Sequence, residues 1–211
     1  MIGLKKKKRG ELIVLSGPSG VGKSTVIAEL LGHRRDIHFS VSFTTRKPRV
    51  GEADGINYYF VDREEFERMI RDDELLEYAE YVGNYYGTSM KVIQEKLDRG
   101  IDVLLDIEVQ GAAKVREKCP DAVLIFIIPP SLEELSRRLH MRNTDADDVI
   151  DMRLQKAREE CKASIWYDYL VVNDNVIGAA EEIQAILSAE SCRLKNREHM
   201  LKSIVDNNAN N

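Results

Sequence analysis

The chain has 211 residues, with 43% hydrophobic and 32% charged side chains and a formal net charge of −5. That length suits one domain carrying an insertion, and the apolar fraction is too high for wholesale disorder. Ordinary glycine and proline usage excludes collagen-like and low-complexity chains, and the acidic balance argues against a general nucleic-acid binder.

The longest apolar run, Ala122 to Ile128, stops at Pro129 and is strand-sized, so no membrane span is expected. Cys119, Cys161 and Cys192 are widely spaced and odd in number, which fits a reduced cytoplasmic setting. His33, His38, His140 and His199 lack ligand spacing, so no structural metal site is expected. The basic cluster Lys5 to Arg9 reads as a solvated tail rather than a nucleic-acid patch. Charge is uneven: residues 1–50 hold eleven Lys or Arg against three acids, and residues 51–100 hold thirteen acids against six bases. Such polarity suits an anionic ligand at one end of a site and a donor-rich group at the other.

Leu12 to Leu15 is a continuous apolar run, as expected of a strand covered on both faces. It enters a glycine-rich turn, Ser16 to Ser24, and then a helix over Thr25 to Leu31 with Gly32 as its stop. Residues 36–88 break this rhythm. His38 to Phe43, Asn57 to Val61 and Glu80 to Tyr86 are short, aromatic-rich strand candidates, with one helix over Glu64 to Arg71. Further on, helices are expected at Met90 to Arg99, Gly111 to Lys118 and Ser131 to Met141, the last opening on a Ser131/Glu134 capping box. Strands are expected at Val103 to Asp106, Val123 to Ile128 and Tyr169 to Val172. The polar stretch His140 to Met152 reads as a mobile cover, and Ala179 to Val205 as a charged helix before a frayed end. Trp166, Tyr167 and Tyr169 are expected to pack in the core.

The resulting fold class is α/β: a parallel sheet flanked by helices, with an inserted mixed β lobe and a small helical lid. The core would comprise 10–37 and 89–190, the lobe 38–88, the lid 138–153, and a helical extension 191–211.

Gly17-Pro18-Ser19-Gly20-Val21-Gly22-Lys23-Ser24 fits G-x-x-x-x-G-K-[ST] at every fixed position. The glycines let backbone N–H groups wrap a phosphate, and the following helix adds its positive end. Lys23 would reach the β- and γ-phosphates, and the Ser24 hydroxyl would bind Mg²⁺. A nucleoside-triphosphate site follows, with the acceptor left open. The second informative stretch runs from Ser40 to Tyr58 and places Arg46 and Arg49 three apart across Pro48. Two guanidinium forks and a Tyr hydroxyl can converge on one phosphate. Taken alone, the same arginines read more readily as partners in surface ion pairs.

The stretch Ser-x-Ser-x-Thr-Thr-Arg-x-Pro-Arg-x-Gly-Glu-x-x-Gly-x-x-Tyr, from Ser40 to Tyr58, resembles the signature of the guanylate kinase family. So do Gly83 to Thr88 and Leu105 to Gly111, in the same order after the phosphate loop, over about residues 10 to 190. The resemblance implies the P-loop fold and Mg²⁺-dependent transfer of the γ-phosphoryl of ATP to GMP. Carried over by position, Arg46, Arg49, Tyr58 and Tyr86 would hold the GMP phosphate, and Ser42, Glu77, Thr88 and Glu108 would read guanine. A carboxylate at Glu77 suits guanine because it accepts from both N1–H and the 2-amino group, whereas adenine would leave it unpaired. ATP would lie on residues Gly17 to Thr25, with Arg138 at its phosphates and Asn173 beside its adenine. Asp106 resembles the acid that orients Mg²⁺. Lys23, Arg46, Arg142 and Arg153 would stabilise the transferring phosphoryl.

Two departures stand out. Glu108 replaces a frequent Asp, and Arg138-Leu139-His140-Met141-Arg142-Asn143 replaces a lid that often runs Arg-x-Arg-Gly-Arg-Gly. The expected partners are the small molecules ATP and GMP, with no nucleic acid and no membrane. The charged C-terminal helix leaves room for a homo-oligomer. A related protein-binding module without catalysis is the alternative reading. The intact phosphate loop speaks against it.

Overall fold

The computed structural model describes residues 9–81, 83–141 and 146–207. Arg142 and Asn143 of the expected lid, and Lys5 to Lys8 of the basic cluster, lie outside the described residues. β1 (Leu12–Ser16) leads through the glycine-rich turn into α1 (Lys23–His33) and β2 (Ile37–Phe39). β3 (Phe43–Thr44), β4 (Tyr59–Phe60), α2 (Arg63–Arg71), β5 (Leu75–Tyr81) and β6 (Asn84–Ser89) follow. The chain returns through α3 (Met90–Asp98), β7 (Asp102–Asp106), α4 (Val109–Lys118) and β8 (Val123–Ile128). It ends through α5 (Leu132–Met141), α6 (Asp147–Ala163), a 3₁₀ turn at Ser164–Trp166, β9 (Tyr169–Val172), α7 (Val176–Ser191) and α8 (Leu194–Asn207).

The main sheet is parallel, in the order β2-β7-β1-β8-β9. β1 is central, with Leu12 opposite Val103 on β7 and Ile13 opposite Val123 on β8. Its pleat explains the continuous apolar run. Ile13 and Leu15 face α1 and α7 among Val26, Leu30, Ile183 and Leu187, while Leu12 and Val14 face α3 and α4 among Ile93, Leu97, Ala112 and Val115. Each such side chain, taken from water, contributes about 1.5–3 kcal/mol. Trp166 and Tyr167 pack on the second of these clusters and Tyr169 on the first, as expected of core residues.

The lobe has its own sheet, in the order β4-β3-β6-β5, and its own small core of Phe66, Met69 and Leu75. Leu76, fully buried on β5, instead joins the cluster under α3 and α4 and so fastens the lobe to the parallel sheet. Among the described residues no helix is long and apolar enough to cross a membrane.

The structure corrects several expectations. His38 and Phe39, assigned from sequence to an inserted lobe beginning at residue 38, instead continue from Ile37 as a strand that pairs in parallel with β7 at the edge of the main sheet. Gly32 does not stop α1: the helix runs through it to His33, because a glycine there has open space around it and needs no special backbone. Glu80 to Tyr86 is not one strand but the turn end of the antiparallel β5–β6 hairpin. Residues 147–152, read as cover, form the first turns of α6, and Ile150, Leu154 and Ala157 pack against Leu135 and Leu139 of α5. The terminal helix is two helices, broken after Ser191.

Candidate active site

The phosphate loop joins the C-terminal end of β1 to the first turn of α1, at the edge of the parallel sheet where ligands of such folds bind. Gly22 is the N-cap, with φ of +92° and no side-chain cap, which leaves the first helical N–H groups open to an anion. A β-carbon on Gly22 would also lie 2.7 Å from Asn173 Nδ2. The loop is held from behind at one carbonyl. Val21 O accepts from Asn173 Nδ2 at 2.7 Å and from Arg138 Nη1 at 3.3 Å. Arg138 is in turn fixed by Glu134 Oε1 at 2.7 Å and reaches Asp174 O at 3.3 Å. The guanidinium groups of Arg137 and Arg138 pull the Glu134 carboxyl down to about 2.

Lys23 Nζ lies 2.8 Å from Asp106 Oδ1, with the two side chains 14% and 25% exposed. The lysine is thus preset between loop and strand end. Asp106 terminates β7 directly beside β1, opposite Leu15, and Ser16 Oγ donates to Ile107 O at 2.8 Å to lock the two strand ends together. Ser24 and Thr25 are exposed in the first turn of α1. A Ser24 hydroxyl and an Asp106 carboxylate supply hard oxygen donors, a set that fits a Mg²⁺ ion completing its shell with phosphate oxygens and water.

The lobe contributes two arrangements. In the first, Thr88 Oγ1 donates to Glu77 Oε1 at 2.6 Å, and Ser42 Oγ lies 3.5 Å from Thr88 Oγ1. The β5–β6 pairing sets this contact by placing Glu77 opposite Thr88. Glu77 is only 6% exposed, and burial pushes its carboxyl above the ordinary carboxylate range, against the opposing pull of Thr88 and Lys114. Gly111 at the start of α4 packs on this carboxylate, since a β-carbon there would sit 3.0 Å from Glu77 Oε2.

In the second arrangement, the Arg46 guanidinium lies 5.4 Å from the centre of the Tyr58 ring, whose edge meets Tyr86 at 5.9 Å between centroids. Burial raises the Tyr58 phenol above its ordinary range; Tyr86 and, more weakly, Asp106 and Glu52 push the same way, against Arg46.

Not every candidate joins these groups. Arg49 is exposed, and Glu108, at the N-cap of α4, is exposed with Lys156 Nζ 3.8 Å away. Arg153 is half-buried on α6, and Arg142 lies outside the described residues. The sequence reading missed Glu134 as the residue that fixes Arg138. Its only local signal was the capping box, in which Ser131 Oγ accepts from Glu134 N at 3.1 Å.

Comparison with known proteins agrees with this layout. The guanylate kinase family model matches residues 9–190. A guanylate kinase of Latilactobacillus sakei is 57% identical over 187 residues, covering 88% of this chain and 92% of that one. One from Halalkalibacterium halodurans is 52% identical over 202 residues, covering 94% and 99%. The crystal structure of guanylate kinase from Anaplasma phagocytophilum superposes with a TM-score of 0.73 at 41% identity, over 91% of this chain and 92% of that one. With the family match spanning the phosphate loop, the lobe and the lid helices alike, this chain belongs to the guanylate kinase family.

Proposed function

We propose that the protein transfers the γ-phosphoryl group of ATP to GMP, giving ADP and GDP, by direct in-line transfer. The observation that carries this reading is the presence in one chain of a Lys23–Asp106 pair at the phosphate loop and a buried Glu77–Thr88–Ser42 cluster on the lobe. Residues 17–25 wrap the ATP phosphates, with Arg138 and Asn173 bracing the loop from behind. The Glu77 carboxylate accepts from N1–H and the 2-amino group of guanine, the Ser42 hydroxyl donates to its oxygen, and Thr88, whose proton goes to Glu77, holds that carboxylate in place. Glu108 lies nearest that amino group once the lobe closes. Arg46, Arg49, Tyr58 and Tyr86 hold the GMP phosphate.

Ser24 and Asp106 would hold Mg²⁺, which when bound neutralises charge on the phosphate oxygens. The reaction needs no protein nucleophile, because positioning and charge neutralisation by Lys23, Arg46, Arg142 and Arg153 supply the acceleration. The lobe that carries β3 to β6 closes on the core and excludes water. The three cysteines are unpaired, which suits work in the cytoplasm.

The direct test is nucleoside-diphosphate formation from Mg-ATP with GMP, AMP, UMP or water as acceptor. GDP from GMP alone is expected. Absence of transfer to GMP, with GMP still bound in calorimetry, would overturn catalysis in favour of a binding role.

The raised Glu77 carboxyl adds a pH dependence. Burial raises the Glu77 carboxyl, whereas the guanine donors bind its ionised form, so at pH below that raised pKa GMP binding releases a proton. The KM for GMP is therefore expected to fall as pH rises through the raised pKa of Glu77 and to level off above it. Glu77→Gln should flatten this component and leave only the titration of the GMP phosphate, common to both proteins. A profile identical in the two proteins would refute it.

A further inference from the structure

Glu52 sits in the Arg-x-Pro-Arg-x-Gly-Glu stretch, yet the functional reading above gives it no task. Its carboxylate makes three close bonds. Oε1 accepts from Arg46 Nη2 at 2.8 Å, and Oε2 accepts from Arg46 Nη1 at 2.9 Å and from Arg49 N at 2.7 Å. The turn closes on itself, because Glu52 N donates back to Arg49 O at 3.0 Å and Gly51 takes a φ of +89° to allow it. The second hydrogen of Nη1 goes to Lys47 O at 2.8 Å. Arg46 thereby has its end-on edge fully occupied. The edge formed by Nε–H and the remaining Nη2–H is outside these bonds, and Tyr86 adds to the hold of Glu52 on the charged guanidinium.

A guanidinium offers its donors in a rigid planar fork, so occupying one edge fixes the direction of the other. We propose that Glu52 is the positioning residue of the acceptor-phosphate site: it grips the end-on edge of Arg46 and the backbone of Arg49, so that the side edge of Arg46 is presented to the phosphate of GMP. The inference rests on the functional reading above. It also carries an opposing effect, since a carboxylate beside a bound phosphate repels it. Preordering must outweigh that repulsion. Arg46 and Glu52 are both mostly shielded, at 14% and 19% side-chain exposure, so the pair is held rather than loosely solvated.

Glu52→Gln keeps the shape but removes the charge and turns an amide N–H₂ toward the arginine donors. The KM for GMP is expected to rise at least tenfold, with the KM for ATP changed less than twofold and kcat less than threefold. Guanosine, which lacks the phosphate, should inhibit the variant competitively with the same constant as wild type. A merely structural loss in the lobe would weaken guanosine together with GMP, so this readout separates the two. A KM for GMP within twofold of wild type, a fall in that KM, or equal weakening of guanosine each overturns the proposal, and thermal melts of both proteins check that the lobe is folded. Wild-type protein that neither binds nor phosphorylates GMP would overturn the functional reading as well.

Discussion

Replacing Lys23 by alanine is expected to lower kcat for GDP formation by about 10²–10³-fold, the loss typical of removing one preorganised donor from a developing charge. The ammonium lies 2.8 Å from Asp106 at the end of the neighbouring strand, beside the phosphate loop. The substitution also leaves the Asp106 carboxylate without its counter-charge, next to where phosphates bind, so the KM for ATP should rise too. Lys23→Met, similar in length but neutral, should fail as alanine does if charge is what matters. Single-turnover assays at saturating Mg-ATP and GMP, with circular dichroism to confirm folding, would decide it. Activity of either variant within fivefold of wild type would show that the loop lysine is not part of the chemistry.

Glu77→Gln should produce the second large effect, on specificity instead of rate. A site built to accept from two adjacent guanine donors loses one acceptor and gains an amide donor that opposes them. The kcat/KM for GMP should fall by about 10²-fold or more, from charge-assisted bonds worth roughly 1.5–3 kcal/mol each. The kcat/KM for AMP should change little, so the GMP/AMP ratio collapses while the KM for ATP stays put. Stability should not follow activity down. A buried acid with a raised pKa contributes stability only while protonated, and loses it as pH rises through that pKa. At neutral pH the neutral glutamine avoids that cost and still accepts from Thr88 Oγ1. The variant should melt no lower than wild type. An unchanged GMP/AMP ratio would remove Glu77 from the guanine site.

Most of the core could be read along the chain because parallel strands buried on both faces are local signals. Leu12 to Leu15 and Val123 to Ile128 announce themselves without knowledge of their neighbours. β2 did not, since only Ile37 of its three residues is buried, and an edge strand shows half a pattern. α6 was obscured by charge. It buries only a narrow stripe, through Ile150 and Ala157, and its N-cap Ala146 supplies no side-chain bond to mark the start. In the site, the phosphate loop is contiguous and so was fully legible. The Glu77–Thr88 contact depends on the register of a hairpin, and resemblance gave the residues without the bond. Glu52 and Glu134 act through arginines six and four positions away, a spacing that any surface ion pair shares. Nothing in the local sequence distinguishes a clamp from a solvated pair. The structure does, because Glu52 also accepts from Arg49 N and Arg138 also reaches Val21 O.

The strand order has a consequence for how the chain reaches this state. β1 leaves the ribosome well before both strands that flank it, which begin at Asp102 and Val123, some 90 and 110 residues downstream. At synthesis rates of about 5–20 residues per second, the apolar strand bearing the phosphate loop waits roughly 5–20 s for its first partner. Within the lobe the β5–β6 hairpin turns within a few residues, and β3 meets β6 over a separation of some 40 residues, less than half the wait of β1. The acceptor-binding half of the molecule therefore has the means to organise first, with the nucleotide-binding half assembling around a segment held in suspense.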